Sequence, residues 1–513
     1  MKILSATQLK IVDALTIERQ HISSIDLMER VAKICAERIC SQYTADLPVV
    51  VFCGMGNNGG DGLAIARLLS EQNRMVQVIV VRHTEHFSAD AQVNFDRLPE
   101  SLQATLITVR SENDAGQLHI KENTCVIDAM LGTGINKPVT GILETVIHKI
   151  NSAPPCTVIS IDVPSGLMID HSSGELPDAC VQADLVLSLQ LPKLAYLFPE
   201  NKRIVPHFEC VDIGLDQQAL LEQPSPYYFA ERQDIAALLV PRNKFSHKGT
   251  YGHALLLAGS SGTSGAAVIA AEACLRSGAG LLTVHSTKQT VDALSYRLPE
   301  AMTQTDEHDS FITFCDDLSS YRAIGFGPGV GRASETQQLL KSVIQRFQGR
   351  LIIDADGLNI LAENKTWLEF LPKDTILTPH PKEFERLAGP SDTHFDRLQK
   401  ARAFATRYAC ILILKDTYTH ICMPDGSVVF NSTGNAGLAK GGSGDCLTGI
   451  ILGLLTRGYP PPQAALTGTF IHGYTADLCA EMMSQESILI TDVIRQLPCA
   501  FKQLESTNKF FRS

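Results

Sequence analysis

Short runs of apolar, often β-branched residues recur along the chain, and longer segments with the spacing of helices separate them. In the first half these runs predict strands at 47–53, 74–81, 104–109, 124–130, 156–163 and 183–189. Within each run, apolar residues do not alternate with polar ones, which is typical of a parallel sheet covered by helices on both faces. The first half therefore predicts a doubly wound α/β domain.

The same alternation resumes in the second half of the chain. It predicts strands at 252–259, 280–286, 322–329, 350–357, 375–380 and 410–416, and a hairpin over 420–430 around Pro-Asp-Gly. Between them, the polar stretch 214–238 is interrupted by two prolines, which places a domain boundary near residue 225. We assign residues 1–222 and 223–513 to two α/β domains.

Length and composition agree with two globular domains. The chain has 513 residues, which exceeds the ~250 to 300 at which a single core stops growing. A net charge of -11 without any Lys/Arg-rich run argues against nucleic acid or a membrane as partner. The fourteen cysteines are scattered without a CxxC pair, and no signal-peptide core or membrane span is seen, so we expect reduced thiols in a cytoplasmic protein.

The segment 49–69, VVVFCGMGNNGGDGLAIARLL, predicts a strand, a glycine loop and a helix. Its Gly54, Gly56 and Gly59 match GxGxxG. However, the following strand does not end in the acidic residue that a dinucleotide-binding unit uses for the ribose, so we reject an ordinary NAD-dependent dehydrogenase. A tight turn with Asn or Asp capping the helix is the alternative to a ligand-binding loop.

Polar residues also follow other strands of the first domain. If the sheet is parallel, Asn58, Asp128 and Ser165 converge as hard oxygen ligands suited to a small cation. Asp162 is a candidate proton-transfer group at the same edge. Each residue alone is equally well explained as a cap or a turn residue, but their occurrence at successive strand ends favours a pocket.

The second domain carries a glycine-rich stretch at 434–455, GNAGLAKGGSGDCLTGIILGLL. Gly441, Gly442 and Gly444 leave backbone amides unshielded just before a helix predicted to begin near Asp445, which indicates an anion site. Asp445 is placed to accept a proton from a substrate hydroxyl; the alternative is an ordinary N-cap. No GKS or GKT is present, so the stretch is not a Walker-type P-loop.

These motifs resemble known families. GLAKGGSGDCLTGIILGLL is similar to the anion-hole and aspartate signature of the ribokinase-like superfamily, and with KGTYGHALLLAGS, GFGPGVG, DADGLN and TPHPKE it resembles the NAD(P)H-hydrate dehydratases. NNGGDG, DAMLGTG and DVPSG in the first half resemble the NAD(P)H-hydrate epimerases. Both sets together, over about residues 5–500, resemble the bifunctional NAD(P)H-hydrate repair enzymes. The resemblance implies a Rossmann-like doubly wound domain followed by a ribokinase-like α/β domain.

For the first domain, the resemblance implies epimerisation of the R and S hydrates of NADH and NADPH. The implied substrate residues are Asn57, Asn58, Gly59, Gly60, Asp61, Gly132, Thr133, Gly134, Ile135, Asn136, Lys137, Pro138 and Asp162. Asp162 is also the implied catalytic residue. The implied K⁺ ligands are Asn58, Asp128 and Ser165.

For the second domain, the resemblance implies dehydration of the S hydrate at the expense of ADP or ATP with Mg²⁺, and Asp445 as the base. The implied nucleotide residues are Lys415, Asp416, Thr417, Tyr418, Thr419, Asn435, Ala436, Gly437, Leu438, Ala439, Lys440, Gly441, Gly442, Ser443 and Gly444. The implied hydrate residues are Gly329, His380, Pro381, Lys382, Glu383, Phe384, Glu385 and Arg386.

Two positions depart from the family pattern. Asp416 stands where a glycine is common, which adds a carboxylate near the expected phosphates, and Lys382 stands where TPHPGE has glycine. A ribokinase-like kinase for a vitamin precursor, with a ligand-binding first domain, is the main alternative function, and a non-catalytic binding role is the second. We also expect a homo-oligomer that binds only small molecules.

Overall fold

The computed structural model describes residues 1–170 and 179–508. The chain divides into two compact units. The N-terminal unit comprises Lys2–Ser225 and Thr393–Phe395, and the C-terminal unit comprises Met1, Pro226–Asp392 and Asp396–Ser513.

The N-terminal unit is built on a seven-stranded sheet with the order β3-β2-β1-β4-β5-β6-β7. Every neighbouring pair of its strands is parallel. The strands are β1 Val49–Cys53, β2 Val76–Val81, β3 Ile107–Val109, β4 Cys125–Ala129, β5 Thr157–Ile161, β6 Leu185–Leu189 and β7 Phe208–Val211. The predicted doubly wound sheet is confirmed, although each observed strand is shorter than its predicted range. Strand β7, which contains the charged Glu209, was not predicted.

Helices pack against this sheet. They are α1 Ala6–Gln20, α2 Ser24–Gln42, α3 Asn57–Glu71, α4 Ala89–Asp96, α5 Glu100–Gln103, α6 Glu112–Gly116, α7 Ile142–Asn151 and α8 Gln217–Glu222. Ser5 and Ser23 cap α1 and α2 with reciprocal capping boxes, which fix where both helices begin. Helix α7 places Val146 and Ile147 in a buried cluster with Phe52 of β1.

The C-terminal unit is built on a ten-stranded sheet with the order β11-β10-β9-β12-β13-β14-β15-β16-β17-β8. Its strands are β8 Tyr227–Phe229, β9 His253–Leu257, β10 Leu281–Ser286, β11 Met302–Thr305, β12 Ala323–Phe326, β13 Arg350–Ile353, β14 Ile376–Leu377, β15 Ile411–Leu414, β16 His420–Cys422 and β17 Val428–Phe430. Only β16 runs antiparallel to its neighbours, as the predicted hairpin requires. The edge strands β8 and β11 were not predicted, because one lies in the proline-interrupted stretch and the other is polar and exposed.

The helices of this unit are α9 Arg232–Leu238, α10 Ser264–Arg276, α11 Lys288–Arg297, α12 Ser334–Arg346, α13 Asp356–Glu363, α14 Pro381–Ala388, α15 His394–Arg407, α16 Ser443–Arg457, α17 Pro461–Met482 and α18 Ile490–Thr507. The almost fully buried α16 lies at the centre of the core, where Cys446, Ile450 and Leu454 are inaccessible to solvent. None of the described helices is long and apolar enough to cross a membrane. The fourteen cysteines are free, and most of them are buried.

Candidate active sites

The N-terminal sheet reverses its strand order at β1, which lies between β2 and β4. Ligands bind at such points, outside the carboxyl ends of the strands. Helix α3 begins at Asn57, directly after Gly54–Gly56, so NNGGDG forms the first turns of a helix and not the predicted loop. Gly56 occupies the N-cap position without a side-chain bond, so the alternative of an Asn or Asp cap is also wrong here.

Asn58, Asp128 and Ser165 are brought together around the backbone of Leu131. The Oγ of Ser165 lies 2.5 Å from Oδ1 of Asp128 and accepts a hydrogen bond from the Leu131 N–H at 2.9 Å. The amide nitrogen of Asn58 donates to the Leu131 carbonyl at 2.9 Å. Asp128 is inaccessible to solvent, and no described residue forms an ion pair with it. Burial raises its pKa, while bonds from Ser165, Ser160 and Met130 oppose that rise.

A cavity of about 160 Å³ lies at the same edge of the sheet. Asp162 lines it after β5 and holds a left-handed backbone with φ of 62°. Its Oδ1 lies 2.6 Å from the Nζ of Lys193, whose side chain is only 1% exposed. Lys193 was not predicted; the one available signal was a single lysine inside the apolar run LQLPKLAYLF. The ion pair fixes the orientation of the Asp162 carboxylate towards the cavity.

Three more carboxylates line this cavity, namely Asp13, Asp61 and Asp90. Burial is the main cause that raises the pKa of Asp13 to about 6, and the charge of Asp162 adds to it. Burial, with the charges of Asp162, Asp13 and Asp90, raises the pKa of Asp61 well above its usual value. Asp13 and Asp90 were not predicted.

The remaining predicted substrate residues of this unit have mixed placements. Asn57, Asp61 and Thr133 line the cavity, whereas Gly134 and 136–138 are exposed in the loop after β4. Gly59 and Gly60 are buried. A Cβ at Gly60 would lie 2.7 Å from the Sδ of Met28 on α2, so close helix packing explains this glycine.

In the C-terminal unit, the glycine-rich segment leads into α16, which begins at Ser443, two residues before the predicted start. Gly442 is its N-cap and has a left-handed backbone with φ of 91°. The amides of Gly441, Gly442 and Gly444 donate no hydrogen bond to any residue in 1–170 or 179–508. Free amides at a helix N-terminus are the donors that anions bind.

Asp445 is the third residue of α16, beside a cluster of charged groups. Burial first, and the charge of Asp354 second, raise the pKa of Asp445 to about 6, while the charge of Lys415 opposes this. The Nζ of Lys415 lies 3.1 Å from Oδ1 of Asp354, and the Thr448 hydroxyl donates to the other oxygen at 2.8 Å. A carboxylate with a pKa near the working pH is suited to accept a proton.

A cavity of about 570 Å³ opens next to this glycine-rich segment. Ten of the predicted nucleotide residues line it: Lys415, Asp416, Thr417, Thr419, Asn435, Ala436, Leu438, Ala439, Ser443 and Gly444. The other lining residues were not predicted: Asn431, Thr433, Gly434, Leu447, Thr469, His472 and Gly473. Lys440, another predicted nucleotide residue, does not line the cavity. Its ammonium group donates to the carbonyls of Glu486 and Ile488 and so ties the glycine-rich segment to the loop before α18.

The predicted hydrate residues of α14 divide by helix face. His380 caps the helix, its N–H donates to Glu383 at 2.8 Å, and Glu383 in turn lies 3.8 Å from the Nζ of Lys415. Phe384 is 1% exposed and packs edge-on against Phe404, so its side chain belongs to the core and not to a ligand surface.

The other hydrate residues lie outside that core. Lys382, Glu385 and Arg386 are exposed, and Arg386 donates to Asn359 at 2.6 Å. The Gly329 carbonyl accepts a bond from Thr263 at 2.7 Å. Gly329 thus lies on the loop after β12, and Lys382, Glu385 and Arg386 lie on α14, the helix that follows β14.

Asp416, the first departure from the family pattern, is anchored within the unit. Its Oδ1 accepts a hydrogen bond from the N–H of Thr417 at 2.7 Å, and its Oδ2 lies 3.8 Å from Nη1 of Arg397. The guanidinium therefore offsets the charge that Asp416 adds beside the cavity.

A doubly wound unit, followed by an α/β unit in which glycine amides without a hydrogen-bond partner among the described residues precede Asp445, defines a class of two-domain α/β proteins. Residues 254–499 match the NAD(P)H-hydrate dehydratase family, and residues 24–195 match the family described as YjeF-related protein N-terminus. The bifunctional NAD(P)H-hydrate repair enzyme of Moorella thermoacetica is 33% identical over 98% of this chain and 97% of its own length. The chain belongs to the family of bifunctional NAD(P)H-hydrate repair enzymes, as its motifs predicted, and its C-terminal unit is ribokinase-like.

Two further proteins are similar to this chain. The bifunctional NAD(P)H-hydrate repair enzyme of Escherichia coli is 30% identical over 92% of this chain and 88% of its own length. A solved structure of the ADP/ATP-dependent NAD(P)H-hydrate dehydratase from Bacillus subtilis, co-crystallized with ATP and Mg²⁺, is 34% identical. It covers 54% of this chain and 99% of its own, with a TM-score of 0.49.

Proposed function

We propose that this chain repairs hydrated NADH and NADPH in two steps. Residues 1–222 interconvert the R and S hydrates, and residues 223–513 dehydrate the S hydrate at the expense of ADP or ATP. The observation that carries the proposal is the set of unpaired amides at Gly441, Gly442 and Gly444 immediately before Asp445. Family membership supports both activities.

The dehydratase chemistry follows from the leaving group. Hydroxide leaves poorly, so the reaction needs the hydroxyl converted into a phosphate ester. The nucleotide occupies the cavity beside Lys415, and the glycine amides stabilise the charge that develops on the transferred phosphoryl group. Asp445 accepts the hydroxyl proton as the new P–O bond forms. The ring nitrogen then expels phosphate, and loss of a proton from the ring restores the reduced nicotinamide.

Magnesium fits this site as a partner of the nucleotide. Among residues 1–170 and 179–508 no group of three or more His, Cys, Asp or Glu side chains is placed to hold a metal ion. Mg²⁺ commonly binds through substrate phosphates with only one or two carboxylates, so no protein cage is required. When bound, it supplies charge neutralisation at the phosphates.

Potassium fits the cluster around Leu131. Asn58, Asp128 and Ser165 provide oxygen ligands only, as a hard monovalent cation requires. Asp128 is a solvent-inaccessible carboxylate without a cationic partner among the described residues, so a bound cation would supply the missing charge. The proposed role of K⁺ is to hold the loops after β4 and β5, which carry Thr133 and Asp162.

The decisive experiment mixes purified protein with each hydrate epimer, Mg²⁺ and either ADP or ATP. Recovery of the near-ultraviolet absorbance of reduced nicotinamide from both epimers supports the two activities. Recovery from the S epimer alone removes the epimerase assignment. A phosphorylated product that persists would favour a kinase for a different alcohol. Replacing K⁺ by a bulky organic cation should slow epimerisation without affecting dehydration.

A further inference from the structure

Helix α1 presents one polar side chain to the cavity of the N-terminal unit. Leu9, Asp13 and Ile17 follow each other at intervals of four residues and all line that cavity. The flanking Leu9 and Ile17 are apolar, so Asp13 is a carboxyl group in an apolar stripe. Within the described ranges, no hydrogen bond or ion pair to a protein group satisfies Asp13. A capping or structural role therefore does not explain it.

The cavity holds more carboxylates than cations. Asp13, Asp61, Asp90 and Asp162 line it, and Lys193 is the only lysine or arginine among its lining residues. Lys193 forms its ion pair with Asp162, which leaves the other carboxyl groups without a cation. Like charges in a confined, poorly solvated space favour protonation of some members. Asp162 and Asp13 thus differ in their environments, as an acid and a base in one site do.

We propose that Asp13 is a catalytic residue of the N-terminal unit, which exchanges protons with the hydrate as the partner of Asp162. The inference rests on the proposed epimerase function. Asp13 reaches the cavity from α1 and Asp162 from the loop after β5, so the two groups approach a bound ring from different elements. Inversion at one carbon requires proton transfer on both faces of the ring, which a single carboxyl group does not provide.

The chemistry balances with these two groups. Asp13 in its acid form protonates the hydroxyl, the C–O bond breaks with help from the lone pair of the adjacent ring nitrogen, and water leaves a planar iminium ion. Water then adds to the other face of that carbon, and the Asp162 carboxylate takes its proton. Asp13 ends as carboxylate and Asp162 as acid. The reverse reaction uses the same two groups with their roles exchanged, and solvent returns the proton.

Asp61 is less suited to this role. Asp61 is only 8% exposed, and burial first, with the charges of Asp162, Asp13 and Asp90, raises its pKa well above the usual value, whereas the pKa of Asp13 rises to about 6. A group that cycles protons near neutral pH works best with a pKa in that region. The charged groups that face Asp13 are Asp61 from α3, Asp90 from α4, and Asp162 with Lys193. Helix α2 contributes only Ser24 and apolar side chains to the cavity.

The test compares Asp13→Asn with Glu18→Gln in the full chain. Glu18 is an exposed carboxylate on the same helix, so its variant matches the loss of charge without touching the cavity. We expect Asp13→Asn to lower kcat for epimerisation of NADH hydrate on the order of 100-fold or more, while KM changes little. Dehydration of the S hydrate, measured with ADP on the same preparation, should equal that of the wild-type chain in both variants.

The wild-type pH profile gives a second readout that needs no variant. With NADH hydrate, which lacks the phosphate monoester that titrates near pH 6, kcat/KM for epimerisation should fall as pH rises through about 6. Near-wild-type epimerisation by Asp13→Asn, or a flat wild-type profile between pH 5 and 8, would overturn the role of Asp13. Failure of the wild-type chain to epimerise at all would instead refute the proposed epimerase function.

Discussion

The ammonium group of Lys415 lies 3.1 Å from Oδ1 of Asp354, a carboxylate that is only 2% exposed. Burial acts to raise the pKa of Asp354, but the Lys415 charge together with the hydroxyls of Thr378 and Thr448 holds it below its usual value. Asp354 is thus an anion at neutral pH, and its charge raises the pKa of Asp445. The same lysine also lies 3.8 Å from the buried Glu383, so one cation compensates two carboxylates.

Replacing Lys415 should therefore destabilise the C-terminal unit as well as weaken nucleotide binding. We expect Lys415→Met to lower the free energy of unfolding by on the order of 3 kcal/mol, because it leaves buried carboxylates without a partner. Thermal or urea unfolding with and without ADP measures this. Lys373→Met, which removes an exposed lysine, is the matched control.

A double variant separates the two effects of Lys415. Lys415→Met combined with Asp354→Asn should recover part of the lost stability, because the uncompensated charge is gone, yet it should not recover nucleotide affinity. If Lys415→Met has the same urea midpoint of unfolding as the wild-type chain, the ion pair contributes nothing to stability and our interpretation of it is wrong.

The raised pKa of Asp445 gives the dehydratase a predicted pH dependence. Below pH about 6 Asp445 is mostly protonated and does not accept the hydroxyl proton. The rate of dehydration should therefore rise with pH through about 6 and level off above it. Initial rates with the S hydrate and ADP between pH 5 and 8 measure this profile.

Asp445→Asn should lower dehydration by roughly 100-fold or more, which is the range for loss of a general base. Asp309→Asn, at an exposed position of the same unit, is the control. Epimerisation should be unchanged in both variants, because Asp162 lies in the other unit. A loss of both activities in Asp445→Asn would contradict separate sites.

Part of each site was accessible from sequence because it lies in a local pattern. Apolar runs marked the parallel strands, and the polar residues at the end of one of them indicated Asp162, whereas Lys415 was implied by the family resemblance. Asp13 was missed because it sits within an ordinary helix, and only the tertiary fold brings that helix over the carboxyl ends of the strands. Thr469 and His472 were missed for the same reason: α17 is apolar along most of its length, and the pattern does not distinguish the side that faces the cavity.

The left-handed backbone of Gly442 predicts the effect of adding a side chain there. A Cβ at Gly442 would lie 2.7 Å from Cδ1 of Ile269, and φ is 91°. Gly442→Ala should lower the free energy of unfolding by about 1 to 3 kcal/mol, the usual cost of such a backbone for other residues. Gly441→Ala is the matched control for folding, because a Cβ there meets open space. Equal unfolding midpoints for the two variants would show that the loop relaxes without cost.

Replacing Asp416 and replacing Arg397 should change the affinity for the nucleotide in opposite directions. Removing the Asp416 carboxylate leaves Arg397 uncompensated beside the cavity, so the phosphates of the nucleotide meet more positive charge. We expect Asp416→Asn to lower KM for ADP by about fivefold, which corresponds to about 1 kcal/mol, as expected for charges near a protein surface. The effect should be larger for ATP, which carries more charge, and smaller at high salt.

Arg397→Gln should shift KM in the other direction, because the Asp416 charge is then unopposed. Asp416→Gly, the residue common in the family, should resemble Asp416→Asn if charge alone matters. Steady-state kinetics of dehydration with each nucleotide at two salt concentrations measures all three variants. Losing a nearby negative charge should strengthen binding of the nucleotide, whereas losing a hydrogen-bond acceptor for a ribose hydroxyl should weaken it. A higher KM in Asp416→Asn would therefore mean that the carboxylate itself contacts the nucleotide.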